Sequence, residues 1–305
     1  MAPTHSGWGW SLMSSTTVHG HWSHTEYLSE VDFSNLQLNI PIVCSEILDN
    51  NTALCATNGV KTMECIYEKG KIRPLRKSKS PNRDLRLLED ALSNPNITIL
   101  SVDGLAGTGK TSTAVKYVID NHLQQVDFKA KVSEPSVLIA KPYVNAGEEE
   151  YGFLPGDINE KFDPTVQNFI QYFNRNHMAG FDALRDSGQL EVLPLGFIRG
   201  RDLPDTVVII DECQNTRELV TMATRKAKNS RIVFLGDTSP FQIDLHGNTP
   251  SKNGLSKLTE LLTGAEYFQH IELKTVEHIL RSSESRDIIR RLMKKHGKST
   301  LDWKV

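Results

Sequence analysis

Apolar residues fall along most of this chain in short strand-like runs, separated by stretches where they recur three or four positions apart. The runs lie at 97–102, 136–140, 190–193, 207–210, 231–235 and 271–273. Val207-Val208-Ile209-Ile210 has no polar position, so a strand there buries both faces. Asp84 to Leu92 spaces Leu85, Leu88 and Leu92 along one side and predicts an amphipathic helix. Ser112 to His122 predicts another. Strands alternating with helices argue for an α/β fold with a largely parallel sheet covered on both faces.

The N-terminal part is patterned differently. Residues 1–31 are rich in Ser, Thr, Gly, His and Trp without period, and predict a flexible tail. Residues 32–75 predict a small β-rich module and connector, with strand-like runs at Leu38–Val43, Thr52–Ala56 and Thr62–Tyr67. Asn50-Asn51 and Asn58-Gly59 punctuate them as turns. Such a module is too small to be stable alone. Lys69, Lys71, Arg73, Arg76, Lys77, Lys79 and Arg83 form a basic stretch broken by Pro74 and Pro81. It reads either as a solvated connector or as a phosphate-backbone contact for RNA or DNA. Residues 76–305 are the expected main domain.

Composition narrows the classes. No apolar run approaches the length of a membrane span, so no membrane partner is expected. A net charge of −2 means that a nucleic acid has to be held by a local patch. The four cysteines show no C-x-x-C pairing, which suits reduced thiols in a cytoplasmic protein.

Chemistry enters at Gly104-Leu105-Ala106-Gly107-Thr108-Gly109-Lys110-Thr111, which fits G-x-x-x-x-G-K-[ST] between a predicted strand and a predicted helix. Backbone N–H groups of such a loop curl around phosphates, and the helix N-terminus adds positive dipole. Lys110 is expected to reach the β- and γ-phosphates, and Thr111 to offer its hydroxyl to Mg²⁺, with Ser112 completing the cradle. The strand at 207–210 ends in Asp211-Glu212. In a parallel sheet, ligands bind at the carboxyl ends of the strands. Asp211 is therefore the expected metal ligand and Glu212 the group that polarises the attacking water. The strand at 231–235 runs into Gly236-Asp237, and Gln242 five residues on is a candidate sensor of the γ-phosphate.

Together these residues resemble a family. Asp211-Glu212-Cys213-Gln214-Asn215-Thr216, followed by Gly236-Asp237 and Gln242-Ile243-Asp244, is similar to the PhoH-like ATPases. Gly152-Phe153-Leu154-Pro155-Gly156-Asp157, Phe197-Ile198-Arg199-Gly200-Arg201 and Asn253-Gly254-Leu255 resemble further segments of that family, in its order, over about 82–290. The chain departs from the pattern in four places. Cys213 replaces an alanine, and four residues instead of two separate Asp237 from Gln242. Leu85 stands where many members carry a glutamine that reads adenine, and Ala140-Lys141-Pro142 replaces T-R-P.

The resemblance implies a RecA-like phosphate-loop NTPase fold, kinship to superfamily one helicases, and ATP with Mg²⁺ as cofactors. It implies an ATPase coupled to RNA or DNA binding or remodelling. The alternative is a nucleotide-responsive oligomeric module that binds protein without helicase activity. Helicases of that class close their site with arginines from a second domain, and this chain ends soon after its sixth run. A homo-oligomer is therefore expected, a hexameric ring being one form, with Arg281 reaching into a neighbour's site.

Overall fold

The computed structural model describes residues 20–22, 42–47, 53–57, 62–68, 71–76, 78–80, 82–123, 132, 134–142, 158–178, 180–242, 249–273 and 275–296. The quoted segment 152–157 lies outside them. Contacts divide the chain into two units, with the division falling between Lys79 and Ser80.

The first unit carries a five-stranded antiparallel sheet in chain order: β1 (Gly20–Trp22), β2 (Ile42–Ile47), β3 (Ala53–Thr57), β4 (Thr62–Glu68) and β5 (Lys71–Pro74). Two of these strands change the sequence reading. Gly20–Trp22 pairs with Ile42–Cys44, so a strand lies inside the stretch predicted as a tail. Lys71 and Arg73, read as part of a basic connector, sit on β5 opposite Glu68 and Ile66. Of the predicted run Leu38–Val43, Ile42 and Val43 lie on β2 and the rest lies outside the described residues.

The second unit is a six-stranded sheet in the order β11-β6-β10-β9-β7-β8. Its strands are β6 (Ile99–Gly104), β7 (Val137–Lys141), β8 (Leu190–Pro194), β9 (Val207–Ile210), β10 (Arg231–Gly236) and β11 (Phe268–Leu273). Every pairing is parallel. All residues of β6 and β9 are buried, as strands covered on both faces require, Ser101 and Asp103 of β6 included. Edge strand β11 is longer than its apolar run, because Gln269, His270 and Glu272 alternate with the buried Phe268, Ile271 and Leu273.

Helices cover both faces. On one, Leu138, Ala140, Val208, Ile210, Ile232 and Phe234 pack with Leu219 and Met222 of α5 (Leu219–Ala223) and Leu255 and Leu258 of α6 (Gly254–Leu262). The alternate residues Ile139, Ile209, Val233 and Leu235 point the other way and are fully buried. Three helices lie among the remaining elements: α1 (Arg83–Ser93), α2 (Lys110–His122) and α3 (Ile158–Asn176). Short α4 (Gly180–Asp186) follows α3, and α7 (Ser283–Lys295) ends the described chain. Helix α1 starts where Asn82 accepts a hydrogen bond from Leu85 N–H, a side-chain cap.

Asn253 caps α6 in the same way, accepting from Ser256 N–H, and is completely buried. The next residue shows why glycine follows it. Gly254 N–H donates to the Thr216 carbonyl at 2.9 Å. A Cβ on Gly254 would lie 2.5 Å from that same oxygen. Gly254→Ala is therefore expected to destabilise the protein by about 1–3 kcal/mol, the usual cost of overpacking, read as a lower midpoint in urea.

Strand register fixes where the chemistry collects. Gly236 on β10 pairs with Asp103 on β6, and Phe234 pairs with Ile210 on β9. Gly104, Asp211 and Asp237 thus leave the sheet at one edge, with β10 between the loop strand and the acid-pair strand.

Candidate functional site

The phosphate loop is shaped by its own backbone. Gly107 and Gly109 hold φ of +84° and +96°, values that L side chains rarely adopt. The Thr108 hydroxyl donates to the Leu105 carbonyl at 2.8 Å and closes the turn. Helix α2 begins directly at Lys110, which aims its first N–H groups into the loop. The Lys110 ammonium donates to the carbonyls of Gly104 at 2.5 Å and Leu105 at 3.1 Å, a parked position on the loop's own backbone.

Across the site, the Thr111 hydroxyl donates to Asp211 at 3.1–3.2 Å. Asp211 is 7% exposed. Burial and the neighbouring Glu212 charge push its carboxyl up to about 6, against the opposing influence of Lys110 and Lys141. A carboxylate held at that cost favours a cation. Glu212 adopts left-handed φ of 56°, uncommon for a non-glycine residue and characteristic of functional sites.

Gln214 organises the acids. Its amide nitrogen donates to Glu212 Oε2 at 2.7 Å and to the Gln242 carbonyl at 3.1 Å. Its amide oxygen accepts from Asp237 N–H at 3.0 Å. One buried side chain thus ties the acid pair to the β10 exit. Asp237 accepts from the Ser239 N–H and hydroxyl through Oδ1, while Oδ2 is buried without a partner. Burial raises the carboxyl of Asp237 above its ordinary range.

These groups share a cavity of about 440 Å³. Of the residues singled out in the sequence, Ala106, Gly107, Gly109, Lys110, Thr111, Ser112, Asp211, Glu212, Gln242 and Arg281 line it. Gly104, Leu105 and Thr108 do not; they support the loop from beneath. Leu85 is 2% exposed and packs under Gly109, bringing no polar atom toward a base.

Arg281 is placed differently from its sequence reading. Leu280 N–H donates to the Gly107 carbonyl at 2.9 Å. The Arg281 side chain crosses Gly107 of the same chain, 2.9 Å from where a Cβ on that glycine would stand. The segment that follows β11 therefore folds back over its own loop, and Arg281 lines the cavity of its own chain. The Asp84 carboxylate, hydrogen-bonded to His278 Nδ1 at 2.8 Å, ties this segment to α1. A wall of Asn168, Phe169 and Tyr172 on α3 also belongs to the site and was not singled out from sequence, while Gln214 and Asp237 were quoted there as motif residues without a role.

The residues present fit a nucleoside triphosphate with Mg²⁺: loop amides and Lys110 for phosphate, and Thr111 with Asp211 for the metal. The unpartnered Asp237 Oδ2 fits the same reading, since it calls for a donor or cation from a ligand. A family model described as "PhoH-like protein" matches residues 79–293. The chain belongs to the PhoH-like family.

This is a phosphate-loop ATPase family, in accord with the loop and sheet described above. The PhoH-like region is 32% identical to Protein PhoH2 of Thermobispora bispora over 198 residues, 63% of this chain and 43% of that protein. It is 36% identical to a PhoH-like protein of Bacillus subtilis over 179 residues, 56% of this chain and 50% of that protein. Protein PhoH2 of Mycolicibacterium smegmatis is 28% identical over 278 residues, 88% of this chain and 60% of that protein. The chain thus spans about half the length of the relatives it matches. Among the described residues no helix is long and apolar enough to cross a membrane.

Proposed function

We propose that this PhoH-like chain hydrolyses ATP with Mg²⁺ and couples hydrolysis to single-stranded RNA or DNA. The observation that carries the hydrolytic half is the position of Glu212. It lines the same cavity as the phosphate loop, beside a Thr111–Asp211 pair at 3.1 Å, and is oriented by Gln214. Mg²⁺ held by Thr111 and Asp211 would neutralise charge on the β- and γ-phosphates.

The chain's own residues do the rest. Lys110 exchanges its two backbone carbonyls for phosphate oxygens. Glu212 orients the attacking water and accepts its proton. Gln242 lines the cavity while its carbonyl accepts from Gln214, so a change at the γ-phosphate reaches Glu212 through one side chain. Arg281 stabilises charge on the transferring phosphoryl group from the same chain.

The nucleic-acid half rests on kinship to helicases. Its test is the ATPase rate of the full chain with and without single-stranded RNA, run with light scattering. Strong, salt-sensitive stimulation supports the proposal. No stimulation at low salt, together with a nucleotide-dependent change in particle size, transfers support to an oligomeric protein-binding module. Assembly into a homo-oligomer, a hexameric ring included, is proposed from the family resemblance, since Arg281 in its own site no longer demands a neighbour.

A further inference from the structure

We propose that the turn after β8, Gly196 to Arg201, is the docking surface for single-stranded nucleic acid. The inference rests on the nucleic-acid reading above and locates it on the molecule. Phe197 is 50% exposed, an uncovered aromatic ring in a short helical turn, while its neighbours Leu195 and Ile198 are buried. The buried pair anchors the turn and leaves the ring on show. The space beside it is open. A Cβ on Gly196 would meet nothing within 4 Å, and one on Gly200 would meet only Arg225 Nη1 at 4.0 Å.

Cations lie on and beside the same turn. Arg199 and Arg201 follow on the chain, Arg225 approaches Gly200, and Lys226 lines a small cavity with Arg201 and Arg225. Arg199 pairs with Glu218 at 3.2 Å and Arg201 with Glu191 at 2.8 Å, both partly exposed. Exposed pairs of this kind are weak and exchange readily for phosphate. An exposed aromatic with arginines on the same turn suits a base on the ring and phosphates on the arginines. A protein partner would be served by a broader apolar patch than this one ring offers.

The surface also has a route to the ATP site. Glu218 ends the segment that starts at Glu212, and that segment contains Gln214. When Arg199 turns to a phosphate it releases Glu218, the last residue of that segment. Nucleic acid at Phe197 is thereby linked to the orientation of Glu212.

The test measures binding of a labelled oligouridine, and of the matching oligothymidine, to the full chain by fluorescence anisotropy across a salt series. Phe197→Ala should weaken binding about tenfold, and Phe197→Trp should restore it. Arg225→Gln should lower the salt slope by about one. Leu261→Ser, exposed on α6, should bind as the parent does. Thermal unfolding of Phe197→Ala separates a docking defect from a folding one. If the parent binds and Phe197→Ala binds equally well, this site is wrong while the coupled-ATPase reading stands. Loss of binding through Arg76→Gln with Phe197→Ala unaffected also overturns it, in favour of the basic connector. A parent that binds no oligonucleotide at low salt removes the nucleic-acid reading itself and leaves the surface to a protein partner.

Discussion

Glu212→Gln is expected to lower steady-state ATP turnover by about 10²–10³ while nucleotide binding stays within a few-fold of the parent. The substitution keeps the shape and the oxygen that accepts from Gln214 at 2.7 Å. It removes the negative charge that draws a proton from water. Binding survives because the loop, Lys110 and the Thr111–Asp211 pair are untouched. Phosphate release measured beside titration with a fluorescent nucleotide separates the two quantities. Turnover at the parental rate would take Glu212 out of its role and leave the acid pair as metal ligands only. Gln214 predicts a companion pattern. Its loss frees the Glu212 carboxylate without removing it, so turnover should fall less than in Glu212→Gln, with KM unchanged.

Much of this site was legible because local sequence dictates local geometry. A glycine-rich loop between strand and helix has one backbone solution, and Gly107 and Gly109 take it with positive φ. The acid pair was legible because an apolar strand leaves its next residues at the sheet edge, and register puts Asp211 near Thr111. Gln214 was quoted as a motif letter without a role. Its role comes from three bonds to residues at 212, 237 and 242, a convergence that spacing alone does not reveal. Asp237 is similar: its importance lies in an oxygen left without a partner. The sheet followed the same rule. Central strands β6 and β9 are buried throughout and stood out, whereas edge strand β11 mixes buried and half-exposed positions and showed only its last three residues. Strand β5 was hidden because its Lys71 and Arg73 look like a charged linker. Charge says that a residue meets solvent; it does not say that its backbone is unpaired.

Arg281→Ala is expected to lower turnover by about 10³, the size of effect such an arginine has in related phosphoryl transfer. The fold-back that puts it there could not be read from the sequence, because it rests on a hydrogen bond between Leu280 and Gly107, residues far apart in the chain. The placement has a consequence that a neighbouring-subunit arginine lacks. In the arrangement seen here the loop, the acid pair and Arg281 line one cavity of one chain. Mixing Arg281→Ala protein with Glu212→Gln protein should then give no more activity than the two alone. Each chain carries one broken site, and neither can lend its intact residue. If the arginine instead crossed an interface, a Glu212→Gln subunit would donate its Arg281 to a neighbour that retains Glu212, and mixing would restore turnover. Restored activity in the mixture would therefore overturn the same-chain assignment. Single-chain turnover per site should likewise be independent of protein concentration wherever the nucleotide is saturating, because the Leu280–Gly107 hydrogen bond that seats Arg281 is made within the chain.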